Sequence, residues 1–85
     1  MPGFEALVEV QLRAEIADPQ GATIERALPA LGFSGVSGVR AGKAFRLRLQ
    51  AADEEEAYQL AGSVGSRLLA NPVIEDFTVS VSLAR

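Results

Sequence analysis

The chain contains no cysteine and no histidine. Without thiols and imidazoles, a disulfide framework, a thiolate or imidazole metal site and a histidine general base are all excluded. These absences remove most of the metal centres found in small domains and most nucleophilic catalysis. The formal net charge of -3 at pH 7 also argues against non-specific binding of nucleic acid, which depends on the neutralisation of phosphates by basic side chains.

Long apolar runs are missing as well. No segment approaches the length of a membrane span, and the residues after Met1 lack the charged and apolar regions of a secretory signal. We therefore expect a soluble cytoplasmic protein. Its 85 residues predict one small domain, residues 1–85, with a thin core, because fourteen of the apolar residues are alanines. Self-association or a partner surface would help such a chain to bury apolar area.

Residues 4 to 33 carry the pattern of a strand followed by a helix. From Phe4 to Ala14 the even positions are apolar, which is the period of a strand with one buried face. Asp18 is suited to cap a helix that begins at Pro19. Pro29 should bend or tighten the last turn, and Gly32 should end it in a left-handed conformation. An apolar stripe is predicted to face a sheet and comprises Ile24, Ala27, Leu28 and Leu31.

The middle of the chain predicts two strands joined by a tight turn. Val36 to Arg40 is the shorter one, and its out-of-phase valines indicate a bulge. Ala41 and Gly42 suit a hairpin turn. Large apolar residues at positions 45, 47 and 49 then alternate with Ala44, Arg46 and Arg48, as expected of a third strand.

A second helix and a fourth strand complete the pattern. Asp53 should cap the helix, and the acidic residues 54 to 56 complement the positive end of its dipole, which we favour over a metal site. The helix should stop at Ala70 or Asn71, because Asn71 suits the left-handed C-terminal conformation and Pro72 cannot continue the helix. Strict alternation from Phe77 to Leu83 predicts the last strand. The apolar stripe of this second helix comprises Ala57, Leu60, Ala61, Val64 and Leu68.

The predicted fold class is therefore α+β, a two-layer sandwich with the order β-α-β-β-α-β and an antiparallel sheet with both helices on one face, of the ferredoxin-like type. Right-handed crossovers would place the first and third strands side by side at its centre. The other face would be a solvated or subunit-covering surface of polar residues. Base stacking by RNA is disfavoured there, because the central positions hold Arg46 and Arg48 instead of aromatic residues.

Four runs of the sequence together resemble one family. They are Asp18-Pro19-Gln20-Gly21, Leu28-x-x-Leu31-Gly32-Phe33, Val39-Arg40-x-Gly42-Lys43 and the segment Leu68-Leu69-Ala70-Asn71-Pro72-Val73-Ile74-Glu75-Asp76-Phe77. In this order they resemble PurS, the small subunit of phosphoribosylformylglycinamidine (FGAM) synthase. The first three are weak motifs alone, whereas the fourth is long and specific.

The resemblance implies a non-catalytic subunit in de novo purine biosynthesis. Such a subunit would be a homodimer or homotetramer that joins a large synthetase subunit (PurL) to a glutaminase subunit (PurQ) for ammonia transfer, with ATP and magnesium on the large partner and no cofactor of its own. It also implies a set of scaffold or partner-contact residues, of which we favour an interface role for Arg40, Lys43 and Glu75. The full set is Asp18, Pro19, Gly21, Arg40, Gly42, Lys43, Asn71, Pro72 and Glu75.

Two other classes of function stay open at this level. A ligand-binding regulatory domain of ACT type shares the predicted topology, and the start of its first helix near Asp18 could hold an amino acid or an anion. A small enzyme would need a reactive group that the sequence does not reveal. Glu75 and Asp76 do not form a catalytic pair, because adjacent side chains on a strand point to opposite faces.

Overall fold

The computed structural model describes residues 1–84. Within them, three strands form one antiparallel sheet in the order β2-β1-β3. The α+β class and the antiparallel sheet are thus confirmed, with one strand fewer than predicted. In chain order the elements are β1 (Gly3–Leu12), α1 (Pro19–Ala27), a 3₁₀ turn (Pro29–Leu31), β2 (Gly42–Gln50), α2 (Glu54–Val64), a π-helical turn (Gly65–Leu69) and β3 (Glu75–Leu83).

The central strand β1 supplies the core of the sheet. Its even-numbered side chains from Phe4 to Val10 are buried, as the period of two predicts. Val8 is completely buried and lies between Phe45 of β2 and Val79 of β3 in the register of the sheet. The apolar residues of the two edge strands share this face and pack against the same cluster.

Small residues bring α2 close to the sheet. Ala57 and Ala61 are completely buried, and Gly65 follows them at the start of the π-helical turn. A Cβ atom on Gly65 would lie 2.7 Å from the ring of Phe77, so only a glycine fits this close approach. Of the other residues in the predicted apolar stripe of the second helix, Leu60 and Leu68 are exposed.

The helix caps follow the sequence closely. Asp18 accepts a hydrogen bond from the backbone of Gly21, and Asp53 accepts one from the backbone of Glu56. As predicted, the chain tightens into the 3₁₀ turn at Pro29, and Gly32 is left-handed. The expected left-handed Asn71 is wrong, because only glycines have positive φ within residues 1–84. The side chain of Asn71 instead accepts a hydrogen bond from the backbone of Val73 and stabilises a turn.

The predicted strand from Val36 to Arg40 does not form. Residues 34 to 41 contain no helix or strand, and Gly38 has a left-handed φ of 71°. The backbone N–H of Val39 donates to the Glu25 carboxylate, and that of Ala41 donates to the Asp18 carboxylate. Two backbone donors of this segment are therefore satisfied by side chains in and before α1 instead of by a strand ladder. The hairpin turn predicted at Ala41 and Gly42 is also wrong, because the strand before it is absent and Gly42 begins β2.

Without the predicted second strand, α1 does not cross the sheet. A parallel β-α-β unit needs a helix that runs back across the sheet, but β1 and β2 are antiparallel neighbours. The connection through α1 therefore leaves and re-enters at the same end of the sheet. β2 and β3 both run antiparallel to β1, so α2 is the element that crosses the sheet.

The first helix consequently does not lie on the sheet, contrary to the prediction. We call residues 19–41 the arm. Between residues 22 and 41 no side chain is buried, and α1 makes almost no contact with the strands. The protomer measures 51 × 30 × 14 Å, and its radius of gyration is 16.4 Å. A compact chain of this length would have a radius of gyration of about 12 Å. The arm accounts for this elongation.

Candidate interaction surface

The candidate residues from the sequence gather at one end of the sheet. At this end β1 stops and both β2 and β3 begin, since Gln11 pairs with Gly42 and Leu12 pairs with Glu75. We call it the junction. It brings together residues from three of the four sequence runs, namely Asp18, Pro19, Gly21, Arg40, Gly42, Lys43, Asn71, Pro72 and Glu75.

Asp18 ties the arm to the start of β2. Its carboxylate accepts a 2.6 Å hydrogen bond from the Ala41 backbone and a 3.1 Å hydrogen bond from the Gly21 backbone. The residue is only 8% exposed. These two N–H donors, helped by the positive charge of Arg40, lower the pKa of Asp18 below its usual value of 3.8. At neutral pH the group is therefore a carboxylate committed to holding the backbone, which leaves it poorly placed to bind a ligand.

Two glycines allow the backbone to approach closely at the junction. A Cβ atom on Gly21 would collide with the Asp18 carboxylate and with the carbonyl oxygen of Val39. A Cβ atom on Gly42 would lie 2.8 Å from the carbonyl oxygen of Val10. Both positions therefore require glycine for space. Pro19 occupies the first turn of α1, where its missing N–H has no consequence.

Arg40 closes the turn between β1 and α1. Its guanidinium donates to the carbonyl oxygen of Arg13 at 3.0 Å and to that of Ile16 at 2.9 Å. A planar guanidinium presents several donors in a fixed arrangement, which suits it to hold two carbonyls at once. The rest of the side chain is exposed. Arg40 thus has a structural contact and a free outer surface.

Glu75 organises the other side of the junction. One of its carboxylate oxygens accepts a 2.7 Å hydrogen bond from the backbone of Asn71, and the other lies 3.6 Å from the ammonium of Lys43. The Glu75 side chain is 12% exposed and that of Lys43 is 55% exposed. Because the outer end of Lys43 faces solvent, the ion pair contributes at most about 1 kcal/mol. Pro72 contributes a carbonyl oxygen that accepts a 2.6 Å hydrogen bond from Arg13.

Sequence reasoning missed two residues that build the junction. Arg13 is not among the site residues predicted from the sequence, yet its guanidinium donates to the Pro72 carbonyl in the loop before β3, and its Nε atom lies 3.3 Å from the Asp76 carboxylate. Its position as the last polar residue within the alternating run was the available signal. Glu25 accepts the 2.9 Å hydrogen bond from the Val39 backbone, a contact across fourteen residues that no local pattern indicates.

The arrangement suits a rigid contact surface. Glu75 and Asp76 lie on opposite faces of β3, as their exposures of 12% and 63% reflect, so they cannot act on one substrate. No group of three or more potential metal-ligating residues occurs in the part of the chain that the structure describes. Arg40, Lys43 and Glu75 all have partners within the chain, and their contact with another subunit stays a prediction.

The outer face of the sheet is polar, as the sequence indicated. Glu5 lies opposite Arg48 in the register of β1 and β2, and their charged groups are 3.4 Å apart. On the other side, the serines and threonine of β3 face outward in register with the odd-numbered residues of β1. None of the helices within residues 1–84 has both the length and the apolar character that a membrane span needs.

Comparison with known proteins gives a consistent set of relatives. Residues 5–83 match the model of the family described as PurS: Phosphoribosylformylglycinamidine (FGAM) synthase. The FGAM synthase subunit PurS of Mycobacterium leprae is 50% identical over 76 residues, which cover 88% of this chain and 91% of that protein. The subunit PurS of Thermotoga maritima is 38% identical over 79 residues, with 93% and 96% covered.

Two solved structures extend the similarity to the fold. The structure of Thermus thermophilus PurS superposes with a TM-score of 0.89 at 34% identity, and the match covers 99% of this chain and 100% of that one. A chain in the structure of PurLQS from Thermotoga maritima superposes with a TM-score of 0.87 at 36% identity, with 96% and 100% covered. These matches lend no support to the ACT-type alternative.

Proposed function

The chain belongs to the PurS family, the small subunit of FGAM synthase in purine biosynthesis, and from that premise we propose that it is the non-catalytic bridge between the synthetase and glutaminase subunits of that enzyme. The observation that carries the proposal is the match across residues 5–83, together with the full-length similarity to a chain of the Thermotoga maritima PurLQS structure. In that role the chain would position the glutaminase against the synthetase, so that ammonia passes between them without escaping into solvent.

The proposed division of labour follows the chemistry of the side chains. A glutaminase of the cysteine type needs a thiolate nucleophile, and this sequence has no cysteine. We assign that step to the glutaminase subunit, and ATP and magnesium to the large synthetase subunit, with no cofactor on this chain. The complex would reside in the cytoplasm.

The junction suits the bridging role because it is rigid and carries exposed charge. Its backbone is fixed by the Asp18, Arg40 and Glu75 contacts, so its outer surface is preorganised. Binding to a preorganised surface loses less conformational entropy than binding to a mobile one. Arg40 and Lys43 present positive charge from this surface, which would favour an acidic patch on a partner subunit.

We also propose that the chain acts as a homodimer or homotetramer. The support is the apolar surface that the protomer leaves uncovered, which includes Ile24, Leu31 and Phe33 of the arm. A soluble protomer rarely exposes so many large apolar side chains on one small element unless another surface covers them.

Reconstitution tests the bridging role. Synthetase and glutaminase subunits are mixed with and without this chain, and FGAM formation is measured with glutamine and, separately, with free ammonia as nitrogen donor. We expect the glutamine-dependent rate to need the chain and the ammonia-dependent rate to be unaffected, because free ammonia bypasses the glutaminase. Equal glutamine-dependent rates with and without the chain would contradict the proposal. An unrelated acidic protein of similar size serves as the control addition.

A further inference from the structure

The two edges of the sheet differ in charge. Both β2 and β3 are edge strands, because the strand order is β2-β1-β3. β2 carries Lys43, Arg46 and Arg48, and charged side chains on an edge strand oppose its pairing with a further strand. β3 has charges only at its first two residues. Residues 77–83 form an uncharged run without proline, and their pairing with β1 has no bulge. β3 is therefore the edge that can accept a further strand.

The odd-numbered residues of β3 direct their backbone groups to the open edge. In an antiparallel pair, every second residue exchanges hydrogen bonds with the neighbouring strand, and the residues between them direct their N–H and C=O groups to the other side. The Ala84 N–H donates to the Gly3 carbonyl, and the Ile74 carbonyl accepts from the Arg13 N–H, so the even-numbered residues are the ones that bond to β1. Within the uncharged run, the outward-directed residues are Phe77, Val79, Val81 and Leu83.

The apolar side chains of the run are incompletely covered. Phe77, Val79 and Val81 face the core side of the sheet but are only partly buried, although α2 packs over β3. Leu83 is 64% exposed. The outer face of the run carries only hydroxyl side chains, so neither face presents a charge. A further strand with the same alternation would extend both faces of the sheet.

We propose that β3 pairs with β3 of a second copy in antiparallel orientation, centred on Ser80, so that two three-stranded sheets join into one continuous sheet. In this register Phe77 lies opposite Leu83 of the other copy, and Val79 lies opposite Val81 of the other copy, all on the core side. The contact uses neither the arm nor β2. It is therefore a second contact between copies, in addition to any that the arm makes, and it goes beyond the bridging role.

A second copy fits this edge because the run is complementary to itself. Only odd-numbered residues direct their backbone groups outward, so they must lie opposite odd-numbered residues, as they do when the pairing is centred on Ser80. The odd-numbered pairs would exchange about eight hydrogen bonds, two for each pair. A centre on Val79 would instead place the Glu75 carboxylate opposite Leu83. The contact is two-fold and uses the edge of both copies, so it closes without further growth.

Disulfide formation tests whether the two edges meet. In a pair whose residues exchange no hydrogen bonds, as at Ser80, the Cα atoms lie about 4.5 Å apart, which is within the range that a disulfide spans. The chain has no native cysteine, so Ser80→Cys provides one unique thiol at an exposed position. We expect this variant to oxidise in air to a covalent dimer. Gln50→Cys is the matched control on the outer face of β2, and it should remain a single chain in non-reducing electrophoresis.

Two further cysteine variants test the register. In the proposed pairing Thr78 lies opposite Ser82 of the other copy, and roughly 13 Å from Thr78 of that copy, because the two positions are four residues apart along a strand. Thr78→Cys or Ser82→Cys alone should therefore form little disulfide. The two variants mixed and allowed to exchange subunits should form it readily. Circular dichroism of the reduced variants should match that of the wild type, because these positions are exposed.

Charge reversal provides a test without cysteine. Ser80→Lys or Ser80→Glu places two like charges directly opposite each other, which should weaken association severalfold at low ionic strength. Mixed in equal amounts, the two variants place opposite charges there and should associate more tightly than either alone. Light scattering over a range of concentrations measures this difference, and equal association of the three samples would contradict the pairing.

Failure in the cysteine experiments overturns the pairing. Oxidation of Ser80→Cys no faster than that of Gln50→Cys would mean that β3 does not meet its own copy, as would be the case if a strand of another subunit covered this edge. Equal oxidation of Thr78→Cys alone and of its mixture with Ser82→Cys would exclude the register. These experiments use the isolated chain, so their failure does not bear on the bridging role, which the reconstitution assay tests separately.

Discussion

The Asp18 carboxylate caps a helix and also accepts a hydrogen bond from a residue far away in the chain. It accepts the Gly21 N–H within its own turn and the Ala41 N–H from across the junction. The first contact is predictable from sequence because an aspartate before Pro19 is a common helix start. The second is not, because it depends on where the chain returns after the arm. A residue of this kind links local structure to topology.

Substitution of Asp18 by asparagine should change how stability depends on pH. The folded-state pKa of Asp18 is lowered, so its carboxylate stabilises the fold above the usual pKa of 3.8, and this contribution is lost as the pH falls through the folded-state value. We expect Asp18→Asn to unfold at a lower temperature at pH 7 and to lose less of its remaining stability below pH 4 than the wild type. The measurement is thermal unfolding from pH 7 to pH 2. Parallel curves for the two proteins would contradict the role of this carboxylate.

Gly21 provides a steric prediction at the same corner. Gly21→Ala should lower the free energy of unfolding by about 1–3 kcal/mol, because the added Cβ would meet the Asp18 carboxylate and the Val39 backbone. Gly62→Ala is the control within α2, where no atom lies within 4 Å of the new Cβ. It should raise the free energy of unfolding by about 0.5–1 kcal/mol through helix propensity. Denaturant titration of both variants checks the pair, and destabilisation of similar size in both would refute the steric account.

Among the elements, those set by local chemistry were predictable and those set by distant partners were not. The alternation of β1 and β3 and the cap at Asp53 are visible in the sequence and are present in the fold. The segment before Gly42 has strand-like residues, yet two of its backbone N–H groups donate to Asp18 and Glu25. No spacing of residues in the sequence predicts contacts between segments so far apart in the chain.

The sequence also did not reveal which surface covers the apolar stripe of α1. Its apolar residues were taken to face the chain's own sheet, but Ile24 and Leu31 are exposed in the protomer. Hydrophobic periodicity predicts that a face is covered and does not say which chain covers it. The antiparallel direction of β2 was predicted, but the contact of Asp18 with the Ala41 backbone, which ties the arm to the junction, was not.

The close contact between Gly65, directly after α2, and Phe77 of β3 can be tested by substitution. Gly65→Ala should destabilise the fold by about 1–3 kcal/mol, because the new Cβ would lie 2.7 Å from the Phe77 ring and push α2 away from the sheet. Phe77→Leu should also destabilise when made alone, through lost packing. The double variant should lose less unfolding free energy than the sum of the losses in the two single variants, because the smaller leucine makes room for the new Cβ. Strict additivity in a denaturant-based double-mutant cycle would show that the contact does not limit the packing.

As a whole molecule, the protomer is better suited to assembly than to isolation. Its radius of gyration of 16.4 Å exceeds that of a compact chain, its arm is uncovered, and its junction presents a fixed, charged surface. Membership of the PurS family gives these features a context in FGAM synthase. The arm serves contact between copies in our proposal, and the junction serves contact with the other subunits.

The assembly state of the three subunits tests this account most directly. Synthetase and glutaminase subunits are analysed by size-exclusion chromatography with light scattering, alone and after addition of this chain. We predict that the two large proteins elute separately without the chain and in one complex of higher mass with it. If they form the same complex without the chain, or if the chain elutes apart from both, then it does not bridge them.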